Sequence, residues 1–285
     1  MPTPNSDAGG AVPATSGNKR LTVTVAQMNV VPADPEANLE KAEGWVEEAA
    51  RRGSDLICFP EMWTTGFDWD ANARLAPAQG ETVARVAALA RRHRIWINGS
   101  LLALDERGRP ANTSILFNDR GEPAGVYRKT HLFSLLHEER HMTPGNALTV
   151  AETPWGRMGL SVCYDIRFPE LFRTYALQGV LCVLSPMAFP YPRLDHWKIL
   201  VRARAVENQM FMIGVNRVGG EEIGAEGRVD YFGDSTIVDP WGRTVVEASE
   251  TTEELLTAAL DLAEAEEIRA RMTVLRDRRP ELYRL

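Results

Sequence analysis

The chain has little cysteine and no long apolar run. Only three of its 285 residues are cysteine, Cys58, Cys163 and Cys182. That odd, scattered set implies no disulfide framework and fits a reducing, cytoplasmic compartment. No stretch reaches the ~20 apolar residues that cross a bilayer, and no basic amphipathic segment suits a membrane surface. Cations are not in excess either. Lys and Arg number 32 against 39 Asp and Glu, a formal net charge of −7, which argues against the clustered cations of nucleic-acid binding. Residues 1–20 are rich in Pro, Gly, Ala, Ser, Thr and Asn and lack the apolar segment of a secretory signal, so they read as a disordered tail.

What is present is an ordinary globular composition, 44% hydrophobic and 25% charged, sufficient for a large core. Leu21 to Gln27 alternates and is β-branched, predicting a strand. Asn38 to Arg52 places Leu39, Ala42, Val46 and Ala49 on one helical face, with Gly53 as the C-cap. Asp55 to Pro60 predicts a buried strand, Glu81 to His93 a second amphipathic helix, and three strands separated by tight turns follow to Lys129. The second half repeats this order. Strands at Met158–Cys163, Leu181–Pro186 and Phe211–Val218 alternate with helices at Glu170–Gln178 and Asp195–Asn208, and a final strand pair closes the half. Gly53 to Pro60 has the same length as Gly179 to Pro186, and Asn118-Asp-Arg-Gly121 parallels Asp239-Pro-Trp-Gly242. Such register-level repetition predicts two β-α-β-α-β-β-β halves. The fold class is therefore α/β: two sheets, each covered by helices on one face, stacked as a four-layer α-β-β-α sandwich over 21–262. Residues 263–285 read as a charged C-terminal arm.

Three chemically capable residues stand at strand ends, where α/β proteins place ligands. Glu61 follows Phe59-Pro60, Lys129 closes a strand before Thr-His-Leu-Phe133, and Cys163 ends the run Gly159-Leu-Ser-Val. A thiol there, near the N-terminus of the helix that Pro169-Glu170 opens, is expected to favour the thiolate. Singly, such a Glu or Lys is more often a solvated loop residue, and such a Cys more often core. Together a carboxylate, an ammonium and a thiol are the parts of a covalent amide hydrolase. A competing motif is His137-Glu-Glu-Arg-His141, which matches the zinc signature H-E-x-x-H. That site needs a helix carrying both histidines on one face, plus a third ligand. Thr143-Pro144-Gly145 ends any helix at once, so no metal and no other cofactor is expected.

Phe-Pro-Glu61, Arg-Lys129-Thr-His-Leu-Phe and Ser-Val-Cys163-Tyr-Asp-Ile-Arg-Phe-Pro-Glu resemble the three signature blocks of the carbon–nitrogen hydrolase (nitrilase) superfamily. The resemblance implies the duplicated sandwich, with Cys163 as nucleophile, Glu61 as general base and Lys129 as transition-state stabiliser. It also implies that the Tyr164 N–H shares the oxyanion with Lys129. A second active-site glutamate is implied between lysine and cysteine, Glu138 by position, with Glu139 as the alternative. The segments around Phe189-Pro190, Arg193-Leu-Asp-His196-Trp197 and Gly214-Val-Asn-Arg217 resemble the ω-amidase branch, whose substrates are 2-oxo-acid amides such as 2-oxoglutaramate. Such a substrate carries a carboxylate, for which Arg193 is the candidate partner and Arg217 the second. Phe189, Trp63 and Trp197 are candidate pocket walls. The expected partner is a small amide, and the resemblance implies a homodimer. An N-carbamoyl amino acid substrate and a non-catalytic small-molecule-binding protein on the same scaffold are the alternatives.

Overall fold

The computed structural model describes residues 19–224 and 227–283. The first half runs β1 (Arg20–Gln27), α1 (Pro35–Arg51), β2 (Leu56–Cys58), α2 (Trp69–Leu75), α3 (Gln79–His93), β3 (Trp96–Leu104), β4 (Pro110–Phe117) and β5 (Pro123–Arg128). A short α4 (Glu138–His141) leads into the second half. There β6 (Val150–Thr153) and β7 (Gly156–Leu160) precede α5 (Pro169–Leu177), β8 (Cys182–Pro186), α6 (Leu194–Asn208) and β9 (Phe211–Val215). A hairpin of β10 (Val218–Glu222) and β11 (Arg228–Phe232) is followed by β12 (Thr236–Val238), β13 (Thr244–Glu247), β14 (Glu254–Asp261) and α7 (Ala263–Arg271).

The two large sheets have matching orders. One is β14-β1-β2-β3-β4-β5 and the other β6-β7-β8-β9-β12-β13, read from corresponding edges. In each, three parallel strands are flanked on both sides by antiparallel ones. The duplication anticipated from the sequence is thus visible strand for strand. Its turns match as well. The Asn118 Oδ1 accepts the N–H groups of Arg120 and Glu122, as the Asp239 Oδ1 accepts those of Trp241 and Arg243.

Alternation along the strands makes the four layers. In β2, Leu56 and Cys58 face the opposing sheet, where they join Leu160, Val162, Cys182 and Leu184 in one core. Ile57 and Phe59 point the other way, onto Leu39, Val46, Val86 and Ala90 of α1 and α3. In the second half the helix layer lies close to its sheet. A Cβ on Gly214 would fall 2.7 Å from the Trp197 ring, so only glycine fits beneath that indole.

Strand β14 reaches back over more than two hundred residues to pair with β1, with Leu260 opposite Leu21. Periodicity alone did not reveal that strand. Helix α7, which falls in the segment read as an arm, lies against its own domain. Ala265 joins the main core, and Arg269 donates to the carbonyls of Val180 and Asn208. The tail reading of residues 1–20 falls mostly outside the described residues. Lys19 and Arg20 belong to the fold, Lys19 pairing with Glu266 and Arg20 opening β1. Among the described residues no helix is long and apolar enough to cross a membrane.

If β14 closes the first sheet, Leu260→Ala should lower unfolding free energy by about 2–5 kcal/mol, the range for buried Leu truncation. Urea denaturation measures it; a loss under about 1 kcal/mol would mean that β14 contributes little to the core.

Candidate active site

Glu61, Lys129, Glu138 and Cys163 converge in one buried cluster. Glu61 leaves the end of β2 through the rigid Phe59-Pro60 and is fixed by its backbone N–H donating to the Met187 carbonyl, 3.1 Å away. Lys129 follows β5, its N–H donating to the Asn112 carbonyl at 2.9 Å. The Lys129 ammonium donates to Glu61 Oε1 at 2.8 Å and to Glu138 Oε2 at 2.7 Å. All three side chains are at most 2% exposed. The Asn112 amide donates to both carboxylates, at 2.8 and 3.2 Å, and closes the cluster from the other side.

Glu138 reaches Lys129 because His137 before it takes a left-handed conformation that turns the chain inward. Its carboxylate also accepts the Phe133 N–H at 2.8 Å. Glu139 stays near the surface, beside His137 and Arg140. The zinc reading fails on the same geometry. Helix α4 is four residues long, Glu138 is committed to Lys129, and His141 stacks on Trp69.

Cys163 sits at a sharp bend, with φ +44°, between β7 and the 3₁₀ turn Cys163–Arg167. A non-glycine residue in this region is held there by its surroundings. Here the holder is Asp165, fully buried. Its carboxylate accepts from the Val162 N–H and the Tyr127 hydroxyl, both at 2.8 Å, and lies 2.7 Å from His131 Nδ1. One carboxylate therefore ties the bend carrying Cys163 to the strand carrying Lys129.

The electrostatics correct one expectation. Its surroundings push the Cys163 thiol up rather than down. Burial pushes its thiol well up, and the Glu61 charge adds to this; Lys129 and the Ala188 N–H oppose but do not overcome them. Glu61 is raised too, first by burial and then by Glu138, against the pull of Lys129. For Lys129 burial works against the charge, but Glu138 and Glu61 outweigh it and hold the ammonium far above its usual value.

Two small cavities flank the cysteine. One is lined by Glu61, Lys129, Glu138, Phe67 and Trp69. The other is lined by Phe133, Tyr164, Arg167, Phe189 and Arg193. Tyr164, Phe189 and Arg193, all named from the sequence, line this second cavity. Trp63 does not. Met62 reverses the chain at φ +46°, and the Trp63 indole stacks on Phe59, 4.6 Å away, under the helix layer. Trp197 lies behind Phe189, its indole N–H donating to the Asp234 carbonyl. Arg217 is also unavailable. It is fully buried, 2.5 Å from Glu221 and over the Tyr231 ring. Phe67 and Trp69 form the wall instead. Arg167 was overlooked, though it lies inside the cysteine block.

Carbon-nitrogen hydrolase is the family whose model matches residues 22–270, and the chain belongs to it. Among relatives, the 2-oxoglutaramate amidase of Bacillus subtilis is 32% identical over 265 residues, covering 93% of this chain and 100% of that protein. A carbon-nitrogen hydrolase from Helicobacter pylori G27 superposes with a TM-score of 0.87 at 27% identity, over 93% of this chain and 97% of that one. A mutant of the amidase from Nesterenkonia sp. AN1, carrying the acetamide moiety of fluoroacetamide covalently at its active-site cysteine, has a TM-score of 0.82 and 28% identity. It covers 96% of this chain and 98% of that one.

The raised Glu61 carboxyl has a sign. Its folded pKa lies above the unfolded value of ~4.3, so its contribution is fully present below that value and is lost as pH rises through the folded pKa. Glu61→Gln removes this loss. Its stability relative to wild type should therefore improve as pH rises from the unfolded value of ~4.3 toward neutrality in urea denaturation. A difference that is constant with pH would contradict the raised carboxyl.

Proposed function

We propose that the protein is an ω-amidase, hydrolysing the terminal amide of a small 2-oxo acid through a Cys163 thioester. The observation that carries this reading is the buried contact of Lys129 with Glu61 in a cavity that Cys163 also lines. Base, cation and nucleophile stand in one water-poor cavity.

As the Cys163 sulfur attacks the amide carbon, its proton passes to Glu61. The carbonyl π electrons move to oxygen, and the Lys129 ammonium stabilises that anion. The Tyr164 N–H, among the first donors of its 3₁₀ turn, has no carbonyl of that turn to bond and can share the load. Glu61 then delivers the proton to the nitrogen, the C–N bond breaks, and ammonia leaves. Glu61 takes a proton from the water that attacks the thioester. The C–S bond breaks, the oxo acid is released, and the proton returns to sulfur. A neutral resting thiol suits this sequence, because Glu61 removes its proton only as the bond forms. Glu138 does not take part directly. It aims and charges Lys129.

Arg167 and Arg193 support a carboxylated substrate. The Arg167 guanidinium lies over the Phe189 ring at 5.2 Å, and that of Arg193 over Phe133 at 5.6 Å. Both line the cavity on the Cys163 side away from Glu61. Burial, and to a smaller degree the charge of Arg193, lower the pKa of Arg167. A substrate carboxylate between the two guanidinia would relieve that repulsion. The name of the Bacillus subtilis relative points to the same substrate class. Neither an N-carbamoyl amino acid nor a non-catalytic role is favoured.

Cys163→Ala should reduce ammonia release from 2-oxoglutaramate by at least ~10³-fold with the fold intact by circular dichroism. Full turnover in that variant would end the proposal. Arg167→Lys and Arg193→Lys should each raise KM for the oxo-acid amide ~10-fold or more, about 1.4 kcal/mol, with a smaller change in kcat. Steady-state kinetics separates this from a merely structural role, which would move both carboxylated and neutral amides alike.

A further inference from the structure

Like the cavity on the Arg167 side, the cavity on the Glu61 side of Cys163 is about 20 Å³. In the proposed reaction the departing nitrogen lies there, because Glu61 protonates it, while the acyl chain extends toward Arg167 and Arg193. Trp69 and Leu136 bound this cavity, and both also line a third cavity, of about 250 Å³, on their far side. That outer chamber has Asp68, Arg140 and His141 in its wall beside Leu136 and Ile223. The two residues are thus a partition between the space the departing nitrogen enters and a larger space beyond it.

The partition is stiff. Trp69 is the first residue of α2, whose cap is the Asp68 carboxylate accepting the Ala71 N–H at 2.9 Å. Its ring lies parallel to that of His141, centroids 5.0 Å apart, and meets Phe67 edge-on at 5.6 Å. The indole is 9% exposed. These two ring contacts oppose rotation out of the way.

We infer that Trp69 is a specificity-determining residue that sets the size of the amine released. It confines the enzyme to unsubstituted amides, and its removal joins the amine pocket to the outer chamber. The His137-to-His141 segment then has a use unrelated to metal: it supplies Glu138 to Lys129 on one side and the His141 backing for Trp69 on the other. The inference rests on the amidase reading, and the test separates the two.

Wild type, Trp69→Ala, Trp69→Phe and Leu136→Ala are assayed on 2-oxoglutaramate and on its N-methyl and N-carboxymethyl derivatives. Release of the common product, 2-oxoglutarate, is followed throughout, and folding is checked by circular dichroism and thermal melting. Wild type should prefer the primary amide by ~100-fold or more in kcat/KM, the scale on which a rigid pocket discriminates by size. Trp69→Ala should lower that preference at least 10-fold by raising kcat/KM for the substituted amides, with Trp69→Phe between. Leu136→Ala should shift it in the same direction, which keeps the test decisive should Trp69→Ala not fold. Equal wild-type rates on primary and N-carboxymethyl amides would overturn the partition while leaving the amidase reading intact. So would an unchanged preference in folded Trp69→Ala and Leu136→Ala. No hydrolysis of any of the three by wild type would overturn the amidase reading itself, and the inference with it.

Discussion

Everything at the centre of this molecule depends on one buried ammonium. Lys129 lies between Glu61 and Glu138, with the Asn112 amide opposite. Each of these charges alone would be untenable at that depth, and removing one partner of such a set typically costs about 3–5 kcal/mol. The set carries two carboxylates against one cation, so a further anion beside it is unwelcome. Burial first, and the Glu61 charge after it, push the Cys163 thiol up although a lysine is its neighbour. In the proposed reaction the same imbalance has a use. The proton leaving sulfur is taken up by Glu61, whose affinity for it is already raised by burial and by Glu138, while negative charge moves onto an oxygen facing Lys129.

The fold supplies this geometry through its duplication. Glu61 comes from the end of a parallel strand in one sheet and Cys163 from just beyond a parallel strand in the other. Stacking the sheets face to face brings these strand ends together. Lys129 comes from β5, at the sheet edge opposite β14. Its position relative to Cys163 is fixed by Asp165, which receives Val162 from one half and Tyr127 and His131 from the other. A single buried carboxylate is thus the joint between the halves at the point where they must agree most closely.

The architecture was legible because repetition does not depend on knowing any one contact. Gly53 and Gly179 end equivalent helices in left-handed conformations, and equal spacing from them to Pro60 and Pro186 aligns the strands. Glu61, Lys129 and Cys163 were legible from their blocks. What escaped was set by bends and distant pairings. Trp63 follows Glu61 closely, yet a positive φ at Met62 sends it beneath the helices. Glu138 was named by position with Glu139 as the alternative, and the left-handed His137 is what turns Glu138 inward. Strand β14 is defined by a partner at the other end of the chain. Arg217 looked as available as Arg193; only the structure reveals Glu221 beside it. The thiol's protonation state was misjudged because strand ends and helix starts were weighed without burial, which is the larger effect here.

The cleft is polarised along its length, and in the proposed reaction this polarity orders the substrate. On one side of Cys163 stand two carboxylates sharing a lysine; on the other stand two guanidinia held by aromatic rings. An oxo acid with a terminal amide has the complementary polarity, anionic at one end and neutral with N–H donors at the other. Placed the right way round, its carboxylate meets Arg167 and Arg193 and its nitrogen meets Glu61. Reversed, its carboxylate would be driven against Glu61 and Glu138 in a space with little water, a like-charge contact costing several kcal/mol. The acidic end is narrow as well as negative, since Phe67 and Trp69 close it. In the proposed reaction charge therefore selects the orientation and shape limits what can leave, so that the carbonyl carbon is brought to the sulfur with its nitrogen facing Glu61.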